Sequence, residues 1–191
     1  MKFEFIDPTC VTLEHLNIRT ERHGEEDVTA LDLKFTHESA NDFLNTFAPG
    51  LQKALCYRSS ASQAQGSIAG VEPLLPDLRF PDLGPLTWDD EIIGARVAVA
   101  FGLTDVVLTD CTVDKFRLEL LDGGSMTTTF RVRTTNIPDN ALDRLSRQLQ
   151  GEVDITLTLP KEPAVKAVVT TKAPMKPKGP DATELFAGAA A

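Results

Sequence analysis

The feature that most constrains this chain is an every-other-residue alternation of apolar and polar side chains that recurs along its length. In the segment VDITLTL, Val153, Ile155, Leu157 and Leu159 take alternate positions; Leu31, Leu33 and Phe35 do the same, as do Ala95, Val97, Val99 and Phe101. Extended backbone points successive side chains to opposite faces, so this pattern buries one face of a strand and wets the other, and it conflicts with the 3.6-residue period of a helix. The chain is therefore expected to fold by pairing strands through short turns.

Two hairpins follow from the pattern. Residues 11–37 alternate on both sides of a polar segment around Gly24. Residues 106–121 and 126–134 alternate around Asp122-Gly123-Gly124-Ser125, where the glycines supply the positive φ that tight hairpin turns need. The apolar phase switches between Val113 and Phe116, which predicts a bulge near Asp114. Helices are few and short. Ser39 or Asn41 is placed to cap one carrying Phe43, Leu44 and Phe47, and Pro49 suits the first turn of a second with Leu51 and Leu55. Asp139 or Asn140 starts a third, with Leu142, Leu145 and Leu149 on one stripe and Gly151 placed to end it. Residues 58–76, rich in Ser, Gln, Ala and Gly, read as a mobile loop, and Leu78, Phe80, Leu86 and Trp88 read as anchors of an irregular crossing. The expected fold is α+β: a β-rich antiparallel sheet or partly open barrel built from hairpins, with two or three short helices.

Residues 1–160 make one domain of ordinary size, since 191 residues are few for two cores. Residues 161–191, dominated by Ala, Lys, Pro and Thr, contain too little large apolar surface to offset the entropy of ordering and read as a flexible, disordered tail. The net charge of −9 divides unevenly: five lysines against Glu162, Asp181 and Glu184 give the tail +2, which leaves the body at −11. A body so acidic does not coat nucleic acid on all sides, though one basic face remains compatible with it. The opening MKFEFIDPTC sets acids and a proline where a secretory signal needs an apolar run, the three cysteines are scattered, and no apolar run approaches membrane-spanning length. The cytoplasm is the expected compartment.

Enzyme readings lack their parts. There is no phosphate-binding Gly-x-x-x-x-Gly-Lys loop, no Gly-x-Gly-x-x-Gly after a strand and no Gly-x-Ser-x-Gly elbow, so no catalytic residue and no cofactor is assigned. Cys10, His15, His23 and His37 stand at no ligand spacing; Cys10 and His37 are placed to face each other at the mouth of the first hairpin, and no metal is assigned. Asp32-Leu33-Lys34 puts a carboxylate and an ammonium on one strand face, as metal-dependent nucleases do, but equally as any salt-bridged strand face does.

The feature that points furthest towards function is the second hairpin. With Phe116, Leu118 and Leu120 facing inward opposite Thr128, Phe130 and Val132, the outer face collects Lys115, Arg117, Arg131 and Arg133 with only one acid, Glu119. Clustered cations on an acidic body predict an anionic partner, a phosphate backbone or a carboxylate-rich surface, unless acids such as Asp110, Asp114 or Asp143 pair with them inside the chain. Tyr57, Phe80 and Trp88 are the aromatics that base stacking would draw on. In the tail, Asp181-Ala182-Thr183-Glu184-Leu185-Phe186 reads as a peptide ligand, with Leu185 and Phe186 as its contact residues.

That closing Leu-Phe is similar to the peptides by which bacterial replication proteins engage the sliding clamp, without their leading glutamine. The order of domain, linker and Phe-bearing tip resembles bacterial single-stranded-DNA-binding proteins, without their dense acidic run. The segments LNIRTERHGEEDVTALDLKFTHESANDFL and DCTVDKFRLELLDGGSMTTTFRVRTT resemble an uncharacterised family of small bacteriophage and prophage accessory proteins over residues 10–160. The resemblance implies a non-enzymatic part in phage DNA replication or recombination. Its partners would be single-stranded DNA at the basic face and a replication or recombination protein at the tail. The alternatives are a host-takeover or anti-defence protein acting through its acidic surface, which presents carboxylates where phosphates would lie, and a virion assembly component.

Overall fold

A computed structural model of the chain describes residues 1–24, 26–59, 75–102 and 104–160. The strands are β1 (Phe5–His23), β2 (Glu26–Ala40), β3 (Cys56–Tyr57), β4 (Asp77–Leu78), β5 (Leu86–Trp88), β6 (Ile92–Val99), β7 (Val106–Leu121), β8 (Ser125–Thr134) and β9 (Glu152–Thr158). A 3₁₀ turn (Asn41–Thr46) and the short helices α1 (Leu51–Leu55) and α2 (Ala141–Arg147) complete them.

Antiparallel pairing runs β7-β6-β9-β1-β2-β8, and β8 returns to β7, so six strands close into a barrel. The partly open alternative is thereby resolved: closure pairs the long strand edges that an open sheet would leave free. Every stretch of alternation becomes an inner face. Leu31, Leu33 and Phe35 of β2, Val97 and Val99 of β6, Phe116 and Leu118 of β7, Phe130 and Val132 of β8 and Val153, Ile155 and Leu157 of β9 are all buried. Phe3, ahead of the first strand, fills the centre, with its ring edge-on to Phe116 at 4.9 Å, Phe130 at 5.0 Å and Phe5 at 5.1 Å. Beyond Leu31 the β1–β2 hairpin outruns β8, and its strands pair with each other as far as His23 and Glu26.

β7 holds the fold together and sets up the surface described below. Residues 106–113 pair with β6 and 116–118 with β5, while the other edge pairs with β8. The bulge expected near Asp114 is present: the register to β8 slips between Asp114 and Arg117, and Lys115 takes φ +53. The turn to β8 places Gly123 and Gly124 at φ +89 and +86, where a side chain would be strained.

The helical segments differ from expectation in detail. The first is a 3₁₀ turn with Ala40 at its N-cap and no side-chain cap bond, and Asn41, a proposed cap, is instead fully buried. Pro49 precedes α1, whose N-cap is Gly50. α2 has Asn140 at its N-cap but ends at Arg147, before Gly151, so Leu145 is buried while Leu149 lies past the helix and is 44% exposed. Phe80, expected to be an anchor, is 57% exposed. The loop expected over 58–76 falls mostly on 60–74, and the tail over 161–191; both stretches, with Leu185 and Phe186, lie outside the described residues.

Candidate functional site

The outer surface of β1, β2, β8 and β7 is laid out by register. Arg131 stands between Lys34 and Asp114, and Arg133 between Asp32 and Thr112. This neighbourhood divides the four cations of the second hairpin. Arg131 makes a two-pronged bond to Asp114, donating from Nε at 2.8 Å and from Nη2 at 2.7 Å. Arg133 donates from Nη2 to Glu91 at 2.8 Å and lies 3.0 Å from Asp114. The Asp114 side chain is 14% exposed; burial pushes its carboxyl up, but the Arg131 hydrogen bonds and the charges of Arg131 and Arg133 outweigh this and hold it below its ordinary value. The same bonds raise Arg131. Fork-to-carboxylate geometry at partial burial makes this a structural ion pair, stronger than an exposed one. Of the acids proposed as internal partners, Asp114 takes that part, while Asp143 pairs with Arg147 at 2.8 Å.

Lys115 and Arg117 behave differently. Both are exposed and form no ion pair among the described residues. The bulge explains the difference, because two residues of β7, Lys115 and Phe116, stand opposite one of β8, Phe130, and Lys115 is turned out of the ladder. Both cations line an open cleft of about 750 Å³ with Thr87, Trp88, Asp89, Asp90, Glu91 and Asp114. Trp88 is half-buried at its wall, with its ring edge-on to Phe47 at 5.9 Å.

The Asp32–Lys34 pair is a salt-bridged strand face. Asp32 accepts from Arg19 Nε at 2.9 Å, and Lys34 Nζ lies 2.5 Å from Glu14, which also accepts from the Thr36 hydroxyl at 2.6 Å. Cys10 and His37 do meet across the first hairpin, through the Cys10 carbonyl, 3.2 Å from His37 Nδ1. Burial lowers the His37 pKa; at Cys10, partial desolvation and the neighbouring Glu152 and Asp154 carboxylates raise the thiol's. No group of three His, Cys, Asp or Glu side chains among the described residues is arranged to hold a metal ion, and no helix among them is long and apolar enough to cross a membrane.

The structure also gathers a second cationic cluster that the sequence does not single out. Gln52, Lys53, Cys56, Tyr57, Arg58, Leu75 and Arg79 line a cleft of about 380 Å³ between α1 and the small β3–β4 sheet. Two of its lining residues are held by an amide chain: Asn45 donates to Gln52 at 3.3 Å, Gln52 to the buried Asn41 at 2.9 Å, and Asn41 to the Leu75 carbonyl at 2.7 Å. Arg79 lies over the Tyr57 ring at 5.6 Å, and Phe80 follows it, exposed. These cations come from places far apart in the chain, brought together by the pairing of Cys56 with Leu78. Only the aromatics, Tyr57 and Phe80, carried a sequence signal.

Comparison of the chain with protein-family models, with curated proteins and with solved structures finds no match in any of the three.

Proposed function

We propose that the protein is a non-enzymatic accessory factor of phage DNA replication or recombination that binds single-stranded DNA. The observation that supports this is the division of the basic hairpin: Arg131 and Arg133 satisfy Asp114 and Glu91, while the bulge sets Lys115 and Arg117 free-standing on the wall of a cleft. Two such cations suit a phosphate backbone, while Trp88, paired with the buried Phe116, turns its ring inward against Phe47. Asp89 and Asp90 occupy the same cleft, which confines phosphate contacts to its β7 side.

The test is fluorescence anisotropy of a labelled oligothymidylate over a salt series. Affinity should fall with salt at a logarithmic slope of about −0.7 per phosphate contact. Lys115→Glu with Arg117→Glu should weaken binding and flatten the slope without lowering the melting temperature.

A second reading, a host-takeover or anti-defence protein acting through its acidic surface, draws on Glu152 and Asp154. They stand exposed on β9 and close enough to raise the Cys10 thiol pKa together with its desolvation. Absence of any oligonucleotide binding at low salt, where attraction is strongest, would favour it.

A further inference from the structure

The cleft between α1 and the β3–β4 sheet meets a requirement that the hairpin face meets only in part. A protein that holds single-stranded nucleic acid without reading its sequence needs cations for the phosphates and exposed aromatic rings for the bases, because every base has a π-face and every linkage a charge. At the hairpin cleft the aromatics are Phe116, fully buried, and Trp88, half-buried with its ring against Phe47. At the second cleft the lining aromatic, Tyr57, reaches solvent at 39% exposure, on a body whose net charge is acidic.

We propose that this cleft is a binding site for one nucleotide unit of a DNA single strand, with its base against Tyr57 and its phosphate at Lys53 and Arg79. This rests on the single-strand reading above and gives that reading its stacking surface.

Three features of the geometry support the assignment. Lys53 is exposed and has no ion pair among the described residues. Arg79 donates from Nε to the Lys53 carbonyl at 3.2 Å, a bond that fixes the guanidinium against α1 and brings the two cations to the same rim. Its position over the Tyr57 ring matches the combined stacking and charge contact that arginine makes with bases and aromatics. Two lining residues are held in place as well: Gln52 bonds the buried Asn41, and Asn41 and Gly123 bond the Leu75 and Pro76 carbonyls, tying that backbone to the barrel. Pre-ordered lining lowers the ordering cost of binding. A single nucleotide unit brings a π-face for the ring and a charge for the cations within one short span, which is why the strand is the occupant proposed.

The experiment uses the full chain and an oligothymidylate carrying 5-bromodeoxyuridine, read by anisotropy and by photocrosslinking with mass-spectrometric mapping. Crosslinks should fall on Tyr57. Tyr57→Ala should weaken binding about tenfold, a typical loss for one stacked base, and Tyr57→Phe should restore it. Lys53→Gln and Arg79→Gln should each reduce the salt slope by about 0.7. Thymidine triphosphate and oligouridylate should compete less well than the DNA strand. If the wild type binds and Lys115→Glu/Arg117→Glu weakens it, while the cleft variants bind like the parent and crosslinks map elsewhere, this site is refuted and the single-strand reading stands. If the charge variants weaken binding but Tyr57→Ala does not, the cleft takes an anion without a base and the proposal is overturned. If thymidine triphosphate or oligouridylate competes as well as the DNA strand, the DNA-strand assignment is overturned. If the wild type does not bind, both readings fall together.

Discussion

The outer face of the second hairpin and the rim of the β3–β4 cleft carry the same chemistry, arginines and lysines on an acidic body, yet they are built to different ends. At the hairpin, strand register delivers Asp114 directly opposite Arg131, and the loop before β6 brings Glu91 to Arg133. At the cleft, a lysine of α1 and an arginine that follows β4 meet beside an exposed tyrosine, and that arginine is held by a backbone carbonyl and the tyrosine ring. A count of cations on a face is therefore a poor guide to binding. What stands opposite each of them in the ladder decides whether it holds the fold or is available to a ligand.

The largest expected effect lies in the barrel interior on which both regions depend. Phe130→Ala and Phe3→Ala should each cost about 3–5 kcal/mol by chemical denaturation, since each empties a ring-sized volume from a fully buried aromatic cluster. A loss under about 1 kcal/mol at either position would mean that the core is not organised around Phe3.

A sharper attack on the comparison is Asp114→Ala. Removing the carboxylate leaves the partly buried Arg131 without its partner and Arg133 with Glu91 alone, which should cost about 1–3 kcal/mol. The same change should increase salt-sensitive affinity for oligothymidylate, because it converts structural cations into available ones. Unchanged stability would show that the pairs contribute little and that the hairpin and the cleft are alike after all.

Acid titration gives a smaller effect with a defined sign. The folded Asp114 carboxyl titrates below its ordinary 3.8, so the unfolded chain binds its proton first. Its contribution is complete above that value and is lost as pH falls through the lower, folded one. Urea midpoints of the parent should therefore fall more steeply below about pH 4 than those of Asp114→Asn. Parallel curves would contradict the assigned pairing. The smallest effect is expected at the cations left to the solvent: Lys53→Gln and Lys115→Gln should stay within about 0.5 kcal/mol of the parent, measured by the same denaturation.

How far the sequence could be read follows from which interactions are local. Alternation placed β2, β6, β7, β8 and β9, and the phase slip between Val113 and Phe116 placed the bulge, because a strand's inner face is a property of neighbouring residues. Barrel closure was left open, since it depends on β8 returning to β7 along its whole length while β6 takes the opposite edge. The start of β1 at Phe5 was missed because Asp7 and Pro8 interrupt the apolar pattern, and Phe3, whose importance comes from contacts with distant strands, left no periodic trace. At the surface, the four hairpin cations were visible as alternate residues on two strands, but their division into paired and exposed was not, because it turns on the Asp114 register and the positive φ of Lys115. Arg79 shows no sequence link to Lys53 and Arg58, since the β3–β4 pairing and its bonds to the Lys53 and Leu55 carbonyls unite them across more than twenty residues.

The most direct test of this division is an NMR titration of the arginine side chains, following each Nε–H resonance as oligothymidylate is added. In the free protein, Arg131 donates from Nε to Asp114 at 2.8 Å, so its resonance should exchange slowly and should not move during the titration, whereas those of Arg79 and Arg117 should shift together as the strand binds. A shift at Arg131 equal to that at Arg117, with no movement at Arg79, would place the ligand on the whole hairpin face and contradict the account.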